Sequence, residues 1–403
     1  MTYTVVKLGG SVCAGPESAP KLARIVAGYR GPVVFVLSAL KGVTDRIYSF
    51  LDAGGDHEAF ARELERQALD FARAFGPSSA RLGAIENGLA ALRRGFIRCS
   101  RGAEPDRNER LASYGERFSA LAFCAALEPY GDPGRPPVAW PEDLALSARF
   151  RYGAAPHGDF PAAGEAECPD PHASWPALRR ALVEHRRLSV PGFYGLAEGG
   201  RVALYGRGGS DYSAVALASA GAARSCDLYK DASGLRSADP SLVGDTRLVS
   251  RLSYGEAADL AQGGAKVLHP RCASLAAEHG VPLRILSAAD GSASVVCARV
   301  GTARRSRPVG IALHSARAAA AGAARADAGT ESLDSLSIVG EGGASASSWA
   351  VKTIKTLEGL GIPARSLHFD PSGRKLALTV PQARGLEALR GLHAAFFGAG
   401  RNA

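Results

Sequence analysis

The sequence predicts a three-layer αβα protein with a mostly parallel central sheet, followed by a small βαββα module. Two short apolar runs, residues 3–7 and 32–38, enclose a helical pattern, and such continuous apolar strands imply a sheet covered on both faces. A strand, a helix and a second strand of this kind form a βαβ unit, which favours parallel pairing. Near the other end, residues 335–397 follow the order βαββα.

The chain between these two regions continues the alternation of strands and helices. Apolar positions recur every three or four residues in much of 56–129, which indicates helices, whereas 131–176 is rich in Pro, Gly and Ala and is expected to be irregular. Further strands are predicted at 188–190, 201–204, 227–229 and 283–286, and further helices at 212–223, 254–262 and 270–279.

The expected domain boundary lies where this alternation stops. We expect one domain over residues 1–290 and a second region over 301–403, in which 333–398 is the complete βαββα unit. The stretch 315–330 is rich in alanine and poor in large apolar side chains, which indicates a linker or a degenerate segment.

The charge balance raises the question of a polyanionic partner. The 403 residues contain 48 Lys and Arg against 39 Asp and Glu, a formal net charge of +9. The arginines are spread through helical segments, and aromatic residues do not alternate with a basic stripe as in single-strand binders. We therefore expect no nucleic-acid partner, and general basicity that helps to attract a phosphorylated small molecule.

Cysteine usage and hydropathy indicate the compartment. The seven cysteines are widely spaced and form no C-x-x-C pair, so neither a disulfide framework nor a zinc site is expected. No run of 18 apolar residues and no charged-then-apolar leader is found. The expectation is a soluble, cytoplasmic protein without a membrane partner.

Common catalytic signatures are missing from the sequence. It has no G-x-x-x-x-G-K-[ST], no G-x-G-x-x-G after a strand, no H-E-x-x-H and no G-x-S-x-G. What remains is a set of turns at predicted strand ends: KLGGS (7–11), SALKGVTD (38–45) and GRGGSD (206–211). Lys7, glycine amides, hydroxyls and Arg207 are suited to phosphate and carboxylate groups, although each turn taken alone is also compatible with a plain loop.

Two further segments contain charged residues whose roles the sequence leaves undecided. In SYGERFSA, Glu116 interrupts an apolar helical pattern, which leaves two roles open for its carboxylate. It either binds the ammonium of a ligand or lies on a solvated helix face, where it pairs with the neighbours of Arg117. In GGAKVLHP, Lys266 follows two glycines and has the reach to contact a phosphate.

Seven segments, taken together and in their order along the chain, resemble the aspartokinases of the amino-acid kinase superfamily. They are VVKLGGS, LSALKGVTD, SYGERFSA, VPGFYG, YGRGGSDYSAVALA, DLYKDASGLRSADP and GGAKVLHPR. The resemblance covers the chain to about residue 290. It implies the amino-acid kinase fold and transfer of a phosphoryl group from ATP to the side-chain carboxylate of L-aspartate, giving 4-phospho-L-aspartate. The implied cofactors are ATP and Mg²⁺, with the metal carried by the nucleotide.

The resemblance also implies roles for individual residues. The catalytic group would be Lys7, Asp211 and Lys266. The amino-acid substrate would be bound by Ser11, Ser38, Thr44, Glu116, Arg207 and Ser210. The nucleotide would be bound by Lys7, Gly9, Gly10, Lys230, Asp231, Arg236, Asp239, Ser241, Lys266 and Val267.

Departures from the family pattern keep two alternatives open. The first turn ends in Ser11-Val12 where aspartokinases usually have two hydroxyl residues, and Lys230 replaces the usual threonine of a Thr-Asp pair. The alternatives are a kinase of another amino acid or carboxylate in the same superfamily, and a non-catalytic ligand sensor.

The C-terminal unit resembles an ACT module. Such enzymes typically carry two repeats, whereas here the first is reduced to PVGIALHS and the alanine-rich stretch, and the D-x-P-G effector turn is absent. We therefore expect weak or no feedback inhibition by lysine or threonine, a place in a specialised biosynthetic pathway, and a homodimer or higher homo-oligomer formed through the ACT region.

Overall fold

The structure is a computed structural model that describes residues 1–150, 166–231, 234–265, 268–298, 308–314, 332–341, 346–371 and 373–398. The described residues form two units, one up to residue 231 and one from residue 234 onward. Lys266, Val267 and the alanine-rich stretch 315–330 lie outside the described residues.

The elements of the first unit alternate strands with helices. They are β1 (Thr4–Leu8), α1 (Ala19–Ala27), β2 (Val33–Leu37), α2 (Val43–Ala53), α3 (His57–Arg73), α4 (Ser79–Ser100), α5 (Arg107–Phe123), β3 (Arg149–Phe150), β4 (Ala166–Glu167), α6 (Trp175–His185), β5 (Arg187–Pro191), β6 (Tyr194–Leu196), β7 (Val202–Leu204), α7 (Gly209–Ala220) and β8 (Ser225–Lys230).

Four parallel strands form the main sheet of this unit, in the order β5-β2-β1-β8. All five residues of β2 are buried, as expected for a strand with helices on both faces. The register places Leu8 opposite Leu37 and Tyr229, and Leu37 opposite Pro191. The predicted parallel α/β architecture is thus confirmed, and the carboxyl ends of the four strands lie along one edge.

Helices α3, α4 and α5 occupy most of the region that the apolar spacing predicts as helical. Helix α3 buries Leu64, Ala68 and Phe71, which follow the spacing of three and four that puts them on one face. Asp56 begins this helix, because its carboxylate accepts hydrogen bonds from the amides of Glu58 and Ala59.

The stretch predicted to be irregular contains only short elements in its described part, up to α6. One of them is an isolated parallel bridge between Val138 and Ser189 at the edge strand β5. Within the described residues, no helix has both the length and the apolar character that a membrane span requires.

The second unit has two parts. Its elements are β9 (Arg251–Leu252), α8 (Tyr254–Gln262), α9 (Pro270–Glu278), β10 (Leu283–Ser287), β11 (Ala293–Val296), β12 (Gly310–His314), β13 (Leu333–Val339), α10 (Ala346–Gly359), β14 (Ser366–Phe369), β15 (Lys375–Pro381) and α11 (Gly385–Phe397).

The C-terminal part of this unit is a four-stranded antiparallel sheet in the order β12-β13-β15-β14. From β13 to α11 it has the predicted βαββα order. Strand β12, from the PVGIALHS segment, adds one edge strand. Such a module fits an ACT-like fold.

The core of this module also takes in residues from a segment much earlier in the chain. Ala238 and Val243 belong to the same apolar cluster as Leu336, Leu378 and Leu392. The hydroxyl of Ser237 lies 2.8 Å from His393 Nε2 on α11, and the Ser237 carbonyl accepts a hydrogen bond from the Ile311 amide at 2.8 Å. Along the sequence, the first unit therefore ends and the second begins near residue 232. A domain boundary near residue 290 stays a prediction.

Candidate active site

Polar side chains collect at the edge of the first sheet where its parallel strands end. Lys7 is the penultimate residue of β1, Lys230 is the last residue of β8, and Ser38 follows β2. The sequence places glycine-containing turns after these strands, and parallel pairing brings the turns to one edge. Loops outside the carboxyl ends of parallel strands are where α/β proteins bind ligands.

A buried ionic cluster lies at the centre of this edge. Asp211 Oδ1 lies 2.7 Å from Lys7 Nζ, and Asp211 Oδ2 lies 2.5 Å from Lys230 Nζ. Asp211 is in the first turn of α7, which begins directly after Gly206 and Gly208, both with positive φ (79° and 75°). This left-handed backbone favours glycine and turns the chain sharply from β7 into the helix.

The charges in the cluster stabilise one another against burial. Burial alone would raise the pKa of Asp211, but the ammonium groups of Lys230 and Lys7 outweigh it and hold that pKa well below its usual range. Burial lowers the pKa of Lys7, and Asp211 opposes this effect. Asp211 thus contacts two lysines among the described residues, Lys7 and Lys230.

The glycine turn after β1 leaves room around the Lys7 ammonium. A Cβ on Gly9 would lie 3.1 Å from Lys7 Nζ, and a Cβ on Gly10 would lie 2.9 Å from the Ala39 carbonyl oxygen. The bare peptide unit of Gly9 therefore lies beside the ammonium, and Gly10 lets the turn approach the loop after β2; we call this turn the glycine cradle. Ser11, the last residue of the predicted turn, is exposed.

Glu116 lies in a buried position beside the loop that follows β2. Glu116 is 3% exposed, and its Oε1 accepts a hydrogen bond of 3.1 Å from the Ala39 amide. Gly115 makes this possible, because a Cβ there would lie 2.8 Å from Ala39 Cβ and push α5 away from the loop. The solvated-face alternative is wrong, because Glu116 itself is buried, and Arg117 pairs with Glu142.

The second oxygen of Glu116 is the most informative atom of the site. Glu116 Oε2 is buried and has no hydrogen-bond partner among the described residues. Burial raises the pKa of Glu116 to about 8, and the Ala39 amide and Lys7 reduce the shift only in part. An unpartnered buried carboxylate oxygen is costly, so this atom is suited to a cationic ligand group.

The other predicted substrate contacts lie in the same unit. Ser38 and Thr44 are partly buried on the loop after β2 and the first turn of α2, and Ser210 is buried at the start of α7. Arg207 is exposed in the turn between the two positive-φ glycines, and its guanidinium makes no ion pair with a described residue. Arg207 is therefore available to a carboxylate from solution.

The VPGFYG segment contains a glycine, Gly192, to which the sequence alone assigns no role. A Cβ on Gly192 would lie 2.8 Å from Ser210 Cβ and 3.0 Å from Val36 Cγ1, so only glycine lets the end of β5 approach α7 this closely. Phe193 beside it has a φ of 76°, an uncommon backbone conformation for a residue with a side chain. In the sequence, only the VPGFYG motif as a whole could have indicated this close packing.

The predicted nucleotide residues divide between the two units. Gly9, Gly10, Lys230 and an exposed Asp231 lie in the first unit. In the second unit, Arg236 donates to the Thr246 carbonyl at 2.7 Å, and Asp239 Oδ1 accepts from the amide and the hydroxyl of Ser241 at 2.9 and 2.6 Å. The roles of these residues stay predictions.

Comparison with known proteins places this arrangement in context. Residues 2–287 match the model of the amino acid kinase family. An aspartokinase from Geobacillus stearothermophilus is 44% identical over 110 residues, which are 27% of this chain and 27% of that relative. The bifunctional aspartokinase/homoserine dehydrogenase 2 of Escherichia coli is 30% identical over 274 residues, 66% of this chain and 32% of that relative. The matched segments thus span about a quarter to a third of these relatives' own length.

Solved structures agree at the level of the fold. Aspartokinase III of E. coli, in complex with aspartate and ADP, has a TM-score of 0.74 at 22% identity and covers 98% of this chain and 100% of its own. The aspartate kinase of Clostridium acetobutylicum has a TM-score of 0.73 at 17% identity, with coverage of 98% and 100%. With the match over residues 2–287 and the lysine–aspartate cluster at the carboxyl edge of a parallel sheet, the chain belongs to the amino acid kinase family.

Proposed function

We propose that this protein is an aspartate kinase, which transfers the γ-phosphoryl group of ATP to the side-chain carboxylate of L-aspartate. The observation that carries the proposal is one shared edge of the sheet that holds both a buried, glycine-flanked Lys7–Asp211 pair and a buried Glu116 with an open oxygen. The first suits a phosphoryl group and the second suits an amino-acid ammonium. The similarity to aspartokinases over part of the chain supports the same substrate.

The chemistry needs little from a general base. A substrate carboxylate has a pKa of about 3.9 and is ionised near neutral pH, so one of its oxygens attacks the γ-phosphorus directly. The bond from that phosphorus to the β–γ bridging oxygen breaks, and ADP leaves with the electron pair. The main obstacle is repulsion between two anions, which Lys7 and the amides around Gly9 and Gly10 reduce.

The residues at this site fit a nucleotide that brings its own Mg²⁺. Both carboxylate oxygens of Asp211 are held by lysines, so Asp211 serves to orient cations of the protein. When bound with ATP, Mg²⁺ supplies further charge neutralisation for the phosphates. In this proposal Glu116 Oε2 binds the substrate ammonium and Arg207 binds a substrate carboxylate, with Ser38, Thr44 and Ser210 beside them.

Purified protein incubated with Mg-ATP, hydroxylamine and L-aspartate tests this proposal, because hydroxylamine converts an acyl phosphate to a hydroxamate, which forms a coloured complex with ferric iron. We expect hydroxamate with L-aspartate and none without ATP. Signal only with another amino acid or carboxylate would replace the substrate. Ligand-induced thermal stabilisation without any turnover would identify a sensor in place of an enzyme.

Further features belong to the same proposal. We propose that the enzyme is cytoplasmic, that it forms a homodimer or higher homo-oligomer through the ACT-like region, and that lysine and threonine inhibit it weakly or not at all. The last point is supported by the absence of a D-x-P-G turn from the sequence.

The raised pKa of Glu116 predicts a pH-dependent affinity for the amino acid. Below its pKa of about 8 Glu116 is mostly protonated, and binding an ammonium at Oε2 requires the ionised form. The ionised fraction rises about tenfold per pH unit in this range. Initial rates at varied aspartate should therefore show a KM that falls as the pH rises from about 5.5 to about 7.5.

Glu116→Gln is the matched variant for this measurement, because glutamine keeps the size but cannot ionise. We expect a higher KM that no longer depends on pH over the same range, while the KM for ATP changes little. A wild-type KM that is flat with pH, or an equal slope in both proteins, would contradict the role given to Glu116.

A further inference from the structure

One peptide unit of the loop after β2 is held from two sides by α5. The carbonyl of Ser38 and the amide of Ala39 belong to this unit, and in a trans peptide they point in opposite directions. Ser119 Oγ donates to the carbonyl at 2.7 Å, and Glu116 Oε1 accepts from the amide at 3.1 Å. Rotation of this unit, which we call the 38–39 peptide, would therefore break both hydrogen bonds.

The place of Ser119 on α5 suits this contact. Ser119 follows Glu116 by three residues, so the two side chains lie on one face of the helix. Ser119 is 0% exposed, and its hydroxyl also lies 3.0 Å from the Glu116 carbonyl, which is an ordinary partner for a serine within a helix. The contact to Ser38 is shorter and reaches a distant part of the sequence, so the hydroxyl ties α5 to the loop.

The 38–39 peptide connects the two parts of the candidate active site. The Ser38 amide donates to the Leu8 carbonyl at the end of β1 at 3.1 Å, so both backbone polar groups of Ser38 are held. On the other side, a Cβ on Gly10 would lie 2.9 Å from the Ala39 carbonyl oxygen, so the loop packs closely against the glycine cradle. A shift of this peptide would therefore move a predicted substrate hydroxyl together with the amide that binds the buried carboxylate.

We propose that Ser119 is a positioning residue for amino-acid binding, which holds the 38–39 peptide so that Ser38 and Glu116 keep the orientation that the substrate requires. This inference rests on the proposed kinase function and adds to it a residue outside the substrate contacts. Because the side chain is buried and its hydroxyl lies between two carbonyl oxygens, Ser119 acts through the loop and not by touching the substrate.

The protonation of Glu116 reports on the position of this peptide. Burial raises the pKa of Glu116, and the Ala39 amide is the strongest of the groups that oppose the shift. Other groups that interact electrostatically with this carboxyl group are Lys7 on β1, Tyr48 on α2 and Tyr194 on β6. A serine-to-alanine change on α5 leaves these groups in place. If the peptide turns away, the amide donor is lost and the pKa of Glu116 rises further.

Ser119→Ala tests the proposal in the hydroxamate assay. We expect the KM for aspartate to rise about tenfold, as for the loss of one buried hydrogen bond, while the KM for Mg-ATP stays nearly the same. The fall of the aspartate KM with pH should move to higher pH, because Glu116 then ionises at higher pH. Ser119→Thr keeps the hydroxyl and should stay close to the wild type. Ser100→Ala, which removes a buried serine hydroxyl at the end of α4, is the matched control and should change neither KM.

Infrared difference spectra follow the same change without turnover. The carbonyl stretch of protonated Glu116 is identified by its loss in Glu116→Gln, and in Ser119→Ala it should persist to higher pH than in the wild type. This result in a protein that forms no hydroxamate would support the positioning role and reject the proposed function.

Two results would overturn the inference. One is an unchanged aspartate KM together with an unchanged titration of Glu116 in Ser119→Ala. The other is an equal rise of the KM for aspartate and for Mg-ATP with a lowered unfolding temperature, since that pattern indicates a purely structural residue.

Discussion

Lys7→Ala is expected to lower hydroxamate formation about a hundred- to a thousandfold while the protein stays folded. The variant removes the ammonium that faces the glycine cradle, so charge that develops on the transferred phosphoryl group loses its nearest stabilising group. Asp211 keeps its contact with Lys230, which leaves a neutral buried pair and preserves the start of α7.

The measurement compares turnover at saturating Mg-ATP and aspartate with the thermal unfolding of the same preparation. Lys355→Ala, which removes a lysine from an exposed helix face, serves as the control. Full activity in Lys7→Ala would show that the site lies elsewhere. Loss of activity together with loss of the cooperative unfolding transition would assign Lys7 to the fold.

Asp211→Asn should have the largest combined effect on stability and activity. It leaves two buried ammonium groups without a carboxylate, and breaking a buried ion pair in this way costs about 3–5 kcal/mol. Urea unfolding at pH 7 should show this loss of unfolding free energy, and turnover should fall because neither Lys7 nor Lys230 is oriented.

The pH dependence of this loss has a definite sign. The folded-state pKa of Asp211 is held below its unfolded value, so its contribution to stability is fully present above the unfolded pKa and disappears as the pH falls through the folded one. The difference between wild type and Asp211→Asn should thus persist down to about pH 4 and shrink only below it.

A double variant tests the shared carboxylate directly. Asp211→Asn combined with Lys230→Met removes one of the two stranded charges, so we expect it to be more stable than Asp211→Asn alone. A coupling energy near zero between the two positions would contradict the ion pair that the structure shows.

The sequence predicted the parts of the fold that depend on local pattern. Strands β1 and β2, helix α8 and the βαββα order were recognised because apolar spacing and length are properties of contiguous residues. Strands β9 and β11 were missed, since two to four residues carry too little periodicity and are defined mainly by their partners.

Site residues could be predicted where a family motif contains them. Their roles stayed uncertain where the burial of the side chain decides the role. The role of Glu116 stayed open because the sequence does not show that Gly115 brings α5 against Ala39. The contact between Lys230 and Asp211 depends on the register of β8 with β1, a long-range property that no short motif contains.

The shared core in the second unit changes how the C-terminal module is to be studied. Ala238 and Val243 pack among its apolar side chains, and Ser237 is tied to His393 and Ile311. A shortened protein that stops near residue 290 would leave those two side chains facing solvent and the Ser237 carbonyl without its amide donor. Deletion mutagenesis would then report misfolding and aggregation, so the contribution of this module is better dissected by point substitutions on its outer surface.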